Sequence, residues 1–131
     1  MDIDKNIEQK LLEMAKIARE NAYAPYSNYM VGASLRTEDN KYYSGCNIEN
    51  SSFSATICAE RVAIGSAISE CGKINISHLL VYAKDPSPCG ICRQVISNFV
   101  IQGAIVLLIN TSGRTSYITF KELFPLPFIK F

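Results

Sequence analysis

Ile76-Ser-His-Leu-Leu-Val-Tyr-Ala83, Lys84-Asp-Pro-Ser-Pro-Cys-Gly-Ile-Cys-Arg-Gln-Val-Ile-Ser-Asn-Phe-Val-Ile-Gln-Gly103 and Ala104-Ile-Val-Leu-Leu-Ile109 follow one another without interruption. The first and third are apolar runs of strand length, too continuous for a strand with one wet face, and they suit a sheet covered on both sides. Between them Asp85-Pro-Ser-Pro88 makes a turn, a helix opens near Gly90 and carries Val95, Ile96 and Phe99 inward, and Gly103 closes the excursion. Strand, helix and strand in that order predict a crossover unit, and with it an α/β layered domain.

The flanks extend this pattern. Ile3, Ile7, Leu11, Met14, Ala15, Ala18 and Ala22 recur at helical spacing, so residues 2 to 22 read as one amphipathic helix, closed by Pro25. Val31, Ala33 and Leu35 alternate with smaller or polar neighbours, Glu38-Asp-Asn40 is a turn, and Tyr42 to Ile48 resumes an extended pattern, which predicts a hairpin. A second helix spans Cys58 to Glu70, with Val62, Ala63 and Ala67 as its apolar stripe and Gly72 as its end. Beyond residue 109, Ser112-Gly-Arg114 turns the chain into a short strand at Ser116 to Ile118, and Thr119 with Glu122 has the spacing of a capping box.

Composition bounds the function. A chain of 131 residues, 48% hydrophobic and 19% charged, reads as one globular domain over 1–131 that can bury a core without disulfides. Its net charge of +1 supplies no positive field for a polyanion, which argues against a nucleic-acid partner. Met1-Asp-Ile-Asp-Lys5 is charged with no apolar stretch behind it, and no window is long enough to span a bilayer, so a cytoplasmic location is expected. Five cysteines in such a compartment point to metal or catalysis in preference to disulfides.

Three of those cysteines stand at helix starts: Cys58 opens the second helix, and Cys89 and Cys92 bracket the opening of the third. Free backbone N–H groups and the positive end of each helix dipole favour thiolates there, which prepares a cation site, and sulfur donors suit zinc. Three protein ligands leave a fourth tetrahedral corner for water, as in catalytic sites. Cys46, Cys71 and His78 are the other donors available for that corner; His78 reads better as a satisfied or surface histidine, and the two cysteines as small apolar fillers. Glu60 lies two residues after Cys58, a spacing that in mid-helix sets side chains roughly 200° apart. Both can face one metal only if Cys58 sits at the non-helical lip and the Glu60 carboxylate turns back past it, where it can accept a proton from water and return it.

Ala22-Tyr-Ala-Pro-Tyr-Ser27, Val31-Gly-Ala33, Gly45-Cys-Asn-Ile-Glu-Asn-Ser51, Cys58-Ala-Glu-Arg61 and Pro88-Cys-Gly-Ile-Cys-Arg-Gln94 together resemble the small cytidine deaminases of pyrimidine salvage, over nearly the whole chain. The resemblance implies a three-layer α/β/α fold with a mixed five-stranded sheet, and zinc-dependent hydrolysis of cytidine and 2′-deoxycytidine to uridine and 2′-deoxyuridine with release of ammonia. It implies one zinc ion per subunit on Cys58, Cys89 and Cys92, with Glu60 shuttling a proton to ring nitrogen 3 and to the departing amine. By the same resemblance the Ala59 N–H holds the 2-oxo group, the Ser87 carbonyl receives the amine, and Asn47 with Glu49 grips the ribose 3′-hydroxyl. Arg61 and Gln94 would donate to the thiolates, whose three negative charges outweigh a dication. The three-cysteine members are homotetramers with shared sites, and Phe128 matches an aromatic that closes a neighbour's pocket.

Two positions depart from the family. Tyr29 stands where phenylalanine commonly faces the pyrimidine; it can still stack, but its hydroxyl needs a partner if buried. Phe53 stands where tyrosine reaches into a neighbouring site, so a hydrogen bond is lost there. Two other functions compete. One is a deaminase of the same fold for another amine, such as blasticidin, or a nucleic-acid editor, although an editor needs a basic channel that a near-neutral chain lacks. The other is a zinc-stabilised module without turnover.

Overall fold

The computed structural model describes residues 2–129; Met1, Lys130 and Phe131 lie outside them. The elements run α1 (Lys5–Glu20), β1 (Gly32–Thr37), β2 (Tyr42–Cys46), a 3-10 turn (Phe53–Ala55), α2 (Ala59–Cys71), β3 (Ile76–Ala83), α3 (Gly90–Ser97), β4 (Val100–Asn110), β5 (Thr115–Thr119) and α4 (Phe120–Leu123). One five-stranded sheet has the order β2-β1-β3-β4-β5. Within this sheet the β3–β4 pair, joined through α3, is parallel, whereas β1 pairs antiparallel with both β2 and β3, and β4 with β5. The sheet is therefore mixed.

Alternation along β3 divides the core. Leu80 faces α1 and packs with Leu11, Ala15, Leu107 and Ile109. Leu79 turns to the opposite face, where it joins Ala63, Ile64, Cys92 and Ile96 of α2 and α3. The double coverage explains why β3 and β4 are apolar at consecutive positions. With α1 on one side and α2 and α3 on the other, the architecture is three-layered, as the resemblance implies.

Local chemistry sets the ends. Asp4 caps α1 by accepting from the Asn6 N–H at 2.8 Å, and Thr119 and Glu122 close a reciprocal capping box on α4. Gly72, at φ 75°, ends α2. Gly103 departs from expectation: it lies within β4 at φ 81°, on the stretch where the pairing with β3 shifts register. The third helix has already ended at Ser97, so the glycine marks a strand irregularity and not a helix stop.

Gly45 fixes the start of α2 against β2. A Cβ there would lie 2.4 Å from the Ala63 nitrogen and 2.7 Å from the Ala59 carbonyl oxygen, both backbone atoms that cannot rotate away. Gly45→Ala is expected to cost at least about 1–3 kcal/mol and to push the N-terminal turn of α2 off the sheet. A lowered thermal midpoint together with a lowered bound-zinc content checks this; an unchanged midpoint contradicts it. Among the described residues no helix is long and apolar enough to cross a membrane.

Candidate metal centre and active site

Cys58 is the N-cap of α2, in extended backbone (φ −73°, ψ 155°), and Cys89 is the N-cap of α3 (φ −70°, ψ 171°). Neither uses its side chain to cap, so both sulfurs are free to turn toward the space between the helix starts. Cys92 follows one turn into α3 and is wholly buried. The three Sγ atoms lie within 4.8 Å of one another, unoxidised, and among the described residues no other cysteine, histidine or carboxylate joins the group. The Cys58–Cys89 separation is 3.8 Å, the edge of about 3.8 Å that a tetrahedron with metal–sulfur bonds of about 2.3 Å requires. Donor type, spacing and the missing fourth side chain all fit a zinc ion with one open corner.

The Cys58 sulfur is electrostatically prepared for a cation. A hydrogen bond from Cys92, followed by Arg61 and Cys89, brings the Cys58 thiol down to about 5, while that same bond and burial push Cys92 upward. The guanidinium of Arg61 supplies the counter-charge, with Nη2 donating to Cys58 Sγ at 3.7 Å and to the Thr56 carbonyl at 3.4 Å. Its Nε is buried without a hydrogen-bond partner. Gln94 does otherwise: its amide nitrogen donates to the Phe128 carbonyl and not to sulfur, which ties the C-terminal tail to α3.

Beside the sulfurs lies a cavity of about 180 Å³ lined by Tyr29, Asn47, Cys58, Ala59, Glu60, Ser87 and Cys89, among others. Clefts for drug-sized ligands run to roughly 300–1,000 Å³, so this one suits a single flat ring with the remainder of the molecule at its mouth. Glu60 is only 4% exposed. Burial, reinforced by the negative charge of Cys58, pushes its carboxyl up to about 7, where it can both take and give a proton near neutrality. The non-helical backbone of Cys58 is what lets both residues reach one pocket despite their adverse spacing on a helix.

Two expected contacts are arranged differently. Asn47 lines the cavity, but both ends of its amide are engaged: Oδ1 accepts from the Val31 N–H at 2.9 Å, and Nδ2 donates to the Tyr29 carbonyl at 2.7 Å. Glu49 lies outside that cavity, in an adjoining groove with Tyr26, Ser27 and Phe53. One of its oxygens accepts from the Tyr26 and Ser27 N–H groups, and the other from the Ser27 hydroxyl, which holds the carboxyl below its usual range together with those backbone donors. A carboxylate has about four lone-pair sites, so one remains for a ligand hydroxyl. Phe128, 63% exposed, does not line the pocket.

Arg93 went unnoticed in the sequence because it sits between two more conspicuous residues. Its Nε donates to the Pro88 carbonyl at 2.8 Å, Nη2 to the Ser87 hydroxyl at 3.1 Å, and Nη1 to the Leu123 carbonyl at 2.8 Å, so it braces the loop before α3. Its position one residue after the second cysteine was the available signal. Of the donors considered for a fourth ligand, His78 meets the Ser77 hydroxyl at 2.8 Å, and Cys71 is exposed beside the Tyr43 hydroxyl, so it is no apolar filler.

Comparison with known proteins places these features in a family. Residues 5–108 match the family described as the cytidine and deoxycytidylate deaminase zinc-binding region. A cytidine deaminase of Sporosarcina psychrophila is 46% identical over 125 residues, covering 93% of this chain and 91% of its own. A Bacillus cereus blasticidin-S deaminase is 33% identical over 137 residues, covering 95% and 96%. The crystal structure of a cytidine deaminase from Burkholderia pseudomallei superposes with a TM-score of 0.85 at 39% identity, covering 92% of this chain and 98% of that one.

Proposed function

The chain belongs to the cytidine and deoxycytidylate deaminase family, and we propose that it hydrolyses the exocyclic amine of cytidine and 2′-deoxycytidine, releasing ammonia and the corresponding uridine. It is a hydrolytic enzyme. The observation that carries the assignment is the meeting, in one base-sized cavity, of Cys58 and Cys89, the buried Glu60 and the ring of Tyr29. A greater identity to a cytidine deaminase than to the blasticidin-S deaminase supports the nucleoside over the antibiotic.

Cys58, Cys89 and Cys92 would hold one zinc ion per subunit. Zinc bound there supplies Lewis acidity, bringing the pKa of water toward neutrality. Glu60 takes the proton of the attacking water and passes it to ring nitrogen 3 as the new C4–O bond forms. It then carries the second water proton to the exocyclic nitrogen as the C4–N bond breaks, so that water and cytidine give uridine and ammonia. The Ala59 N–H holds the 2-oxo group, the Ser87 carbonyl accepts from the amine, the Tyr29 ring stacks on the base, and Asn47 with the last lone pair of Glu49 receives the ribose. Arg61 offsets thiolate charge; Gln94, through Phe128, secures the tail.

A homotetramer with shared sites is supported by the exposed, edge-to-face rings of Tyr26 and Phe53 lining the Glu49 groove, since apolar groups exposed beside a functional site suit a subunit contact. A cytoplasmic place in pyrimidine salvage accords with a nucleoside substrate. The test is to incubate purified protein with cytidine, deoxycytidine, cytidine monophosphate and blasticidin S, measuring ammonia with and without a chelator. Both nucleosides should react, the monophosphate and the antibiotic far less, and the chelator should abolish turnover. Reaction of the monophosphate or the antibiotic alone overturns the substrate assignment.

A further inference from the structure

We propose that the Tyr29 hydroxyl is a positioning group that staples the Asp85–Pro88 segment to the opposite wall of the pocket, holding the Ser87 carbonyl at the place where the exocyclic amine must sit. The inference rests on the nucleoside deaminase assignment, and it gives the hydroxyl a role separate from the stacking of its ring.

The segment needs such a device. Pro86 and Pro88 have no N–H, so Asp85 and Ser87 carry its only backbone donors, and it can join neither the sheet nor α3. Two side chains hold it instead. At one end the Tyr29 hydroxyl donates to the Asp85 carbonyl at 2.9 Å and accepts from the Asp85 N–H at 3.0 Å, so both backbone polar groups of that residue meet one oxygen. At the other end Arg93 grips the Pro88 carbonyl and the Ser87 hydroxyl. Among the described residues no protein donor reaches the Ser87 carbonyl, which is left for a ligand.

Tyr29 is itself anchored. Asn28 adopts a left-handed conformation at φ 58°, the Tyr29 N–H donates to the Ser27 hydroxyl at 3.0 Å, and its carbonyl accepts from Asn47 at 2.7 Å. Ser27 in turn donates to Glu49. A hydrogen-bonded path therefore runs from the ribose side of the pocket to its amine side, and the phenolic oxygen is its last link. Since Asp85 is exposed, water can replace the hydroxyl when it is removed, and Tyr29→Phe should fold.

Tyr29→Phe keeps the ring, so KM for cytidine should stay within about twofold, while a loosened Ser87 carbonyl lowers kcat by about tenfold, as misplacement of a binding group does. Preference for cytidine over N4-methylcytidine should fall by about the same factor, because the wall beside the amine can yield to the added methyl group. Amide exchange of Asp85, followed by NMR, should quicken by about tenfold or more. Unchanged Asp85 exchange overturns the staple, and faster exchange with unaltered kcat and selectivity overturns its positioning role. Failure of the wild-type protein to release ammonia from either nucleoside would instead sink the substrate assignment, with Asp85 exchange still deciding whether the staple exists.

Discussion

Glu60→Gln should retain its zinc and lose about 10³- to 10⁴-fold in kcat, at the upper end of what general acid–base catalysis contributes. Glutamine conserves shape and hydrogen-bonding capacity but can neither take nor return a proton. The loss should be large because Glu60 is 4% exposed at the pocket wall, whereas Asp85, the other acidic residue lining that cavity, is exposed to solvent. Its ordinary chemistry is already altered by burial, which places its titration at about 7. Zinc content should be unaffected, since Glu60 is not a member of the sulfur cluster. Stability should hold or rise, because a buried, partly charged acid is replaced by a neutral amide. Kinetics with metal analysis check this; full activity in the variant would remove the proton shuttle from the account.

Cys89→Ala should abolish turnover, with a loss of at least about 10⁴-fold, by releasing the metal. Cys89 is the suitable cysteine to change because it is exposed at the N-cap of α3, whereas Cys92 is wholly buried in the core, so its removal would leave a cavity as well. Two sulfurs bind zinc far more weakly than three, and three free thiols at helix N-termini are a site only when all converge. The variant should unfold at the temperature of the chelated wild-type protein, since both lack the same metal and little else. A variant that keeps zinc and activity would exclude Cys89 from the ligand set.

Much of this was legible in the sequence, for definable reasons. The period of α1, the apolar runs of β3 and β4 and the Thr119–Glu122 box are local patterns, and local patterns report on elements. The helix-start placement of Cys58 and Cys89 was readable because the apolar stripes locate the helices and the cysteines precede them. Gly103 misled because a positive-φ glycine serves a helix end and a strand irregularity equally well. What could not be read were partnerships across long sequence separations: Tyr29 with Asp85, Glu49 with Tyr26 and Ser27, Arg93 with Leu123, and Gln94 with Phe128. Periodicity says which face a residue shares, not which distant polar atom it meets. The resemblance assigned Glu49 to the ribose but could not reveal that three of its lone pairs already hold the 26–27 turn.

Everything in the catalytic account depends on a metal held by three sulfurs and no fourth side chain. Zinc-edge X-ray absorption of the purified protein measures this directly. The structure predicts three sulfur neighbours at about 2.3 Å and one lighter, non-sulfur neighbour that is exchangeable with solvent. A shell of four sulfurs, or a histidine signature in the fourth place, would mean a closed structural site and would contradict a hydrolytic role for the metal.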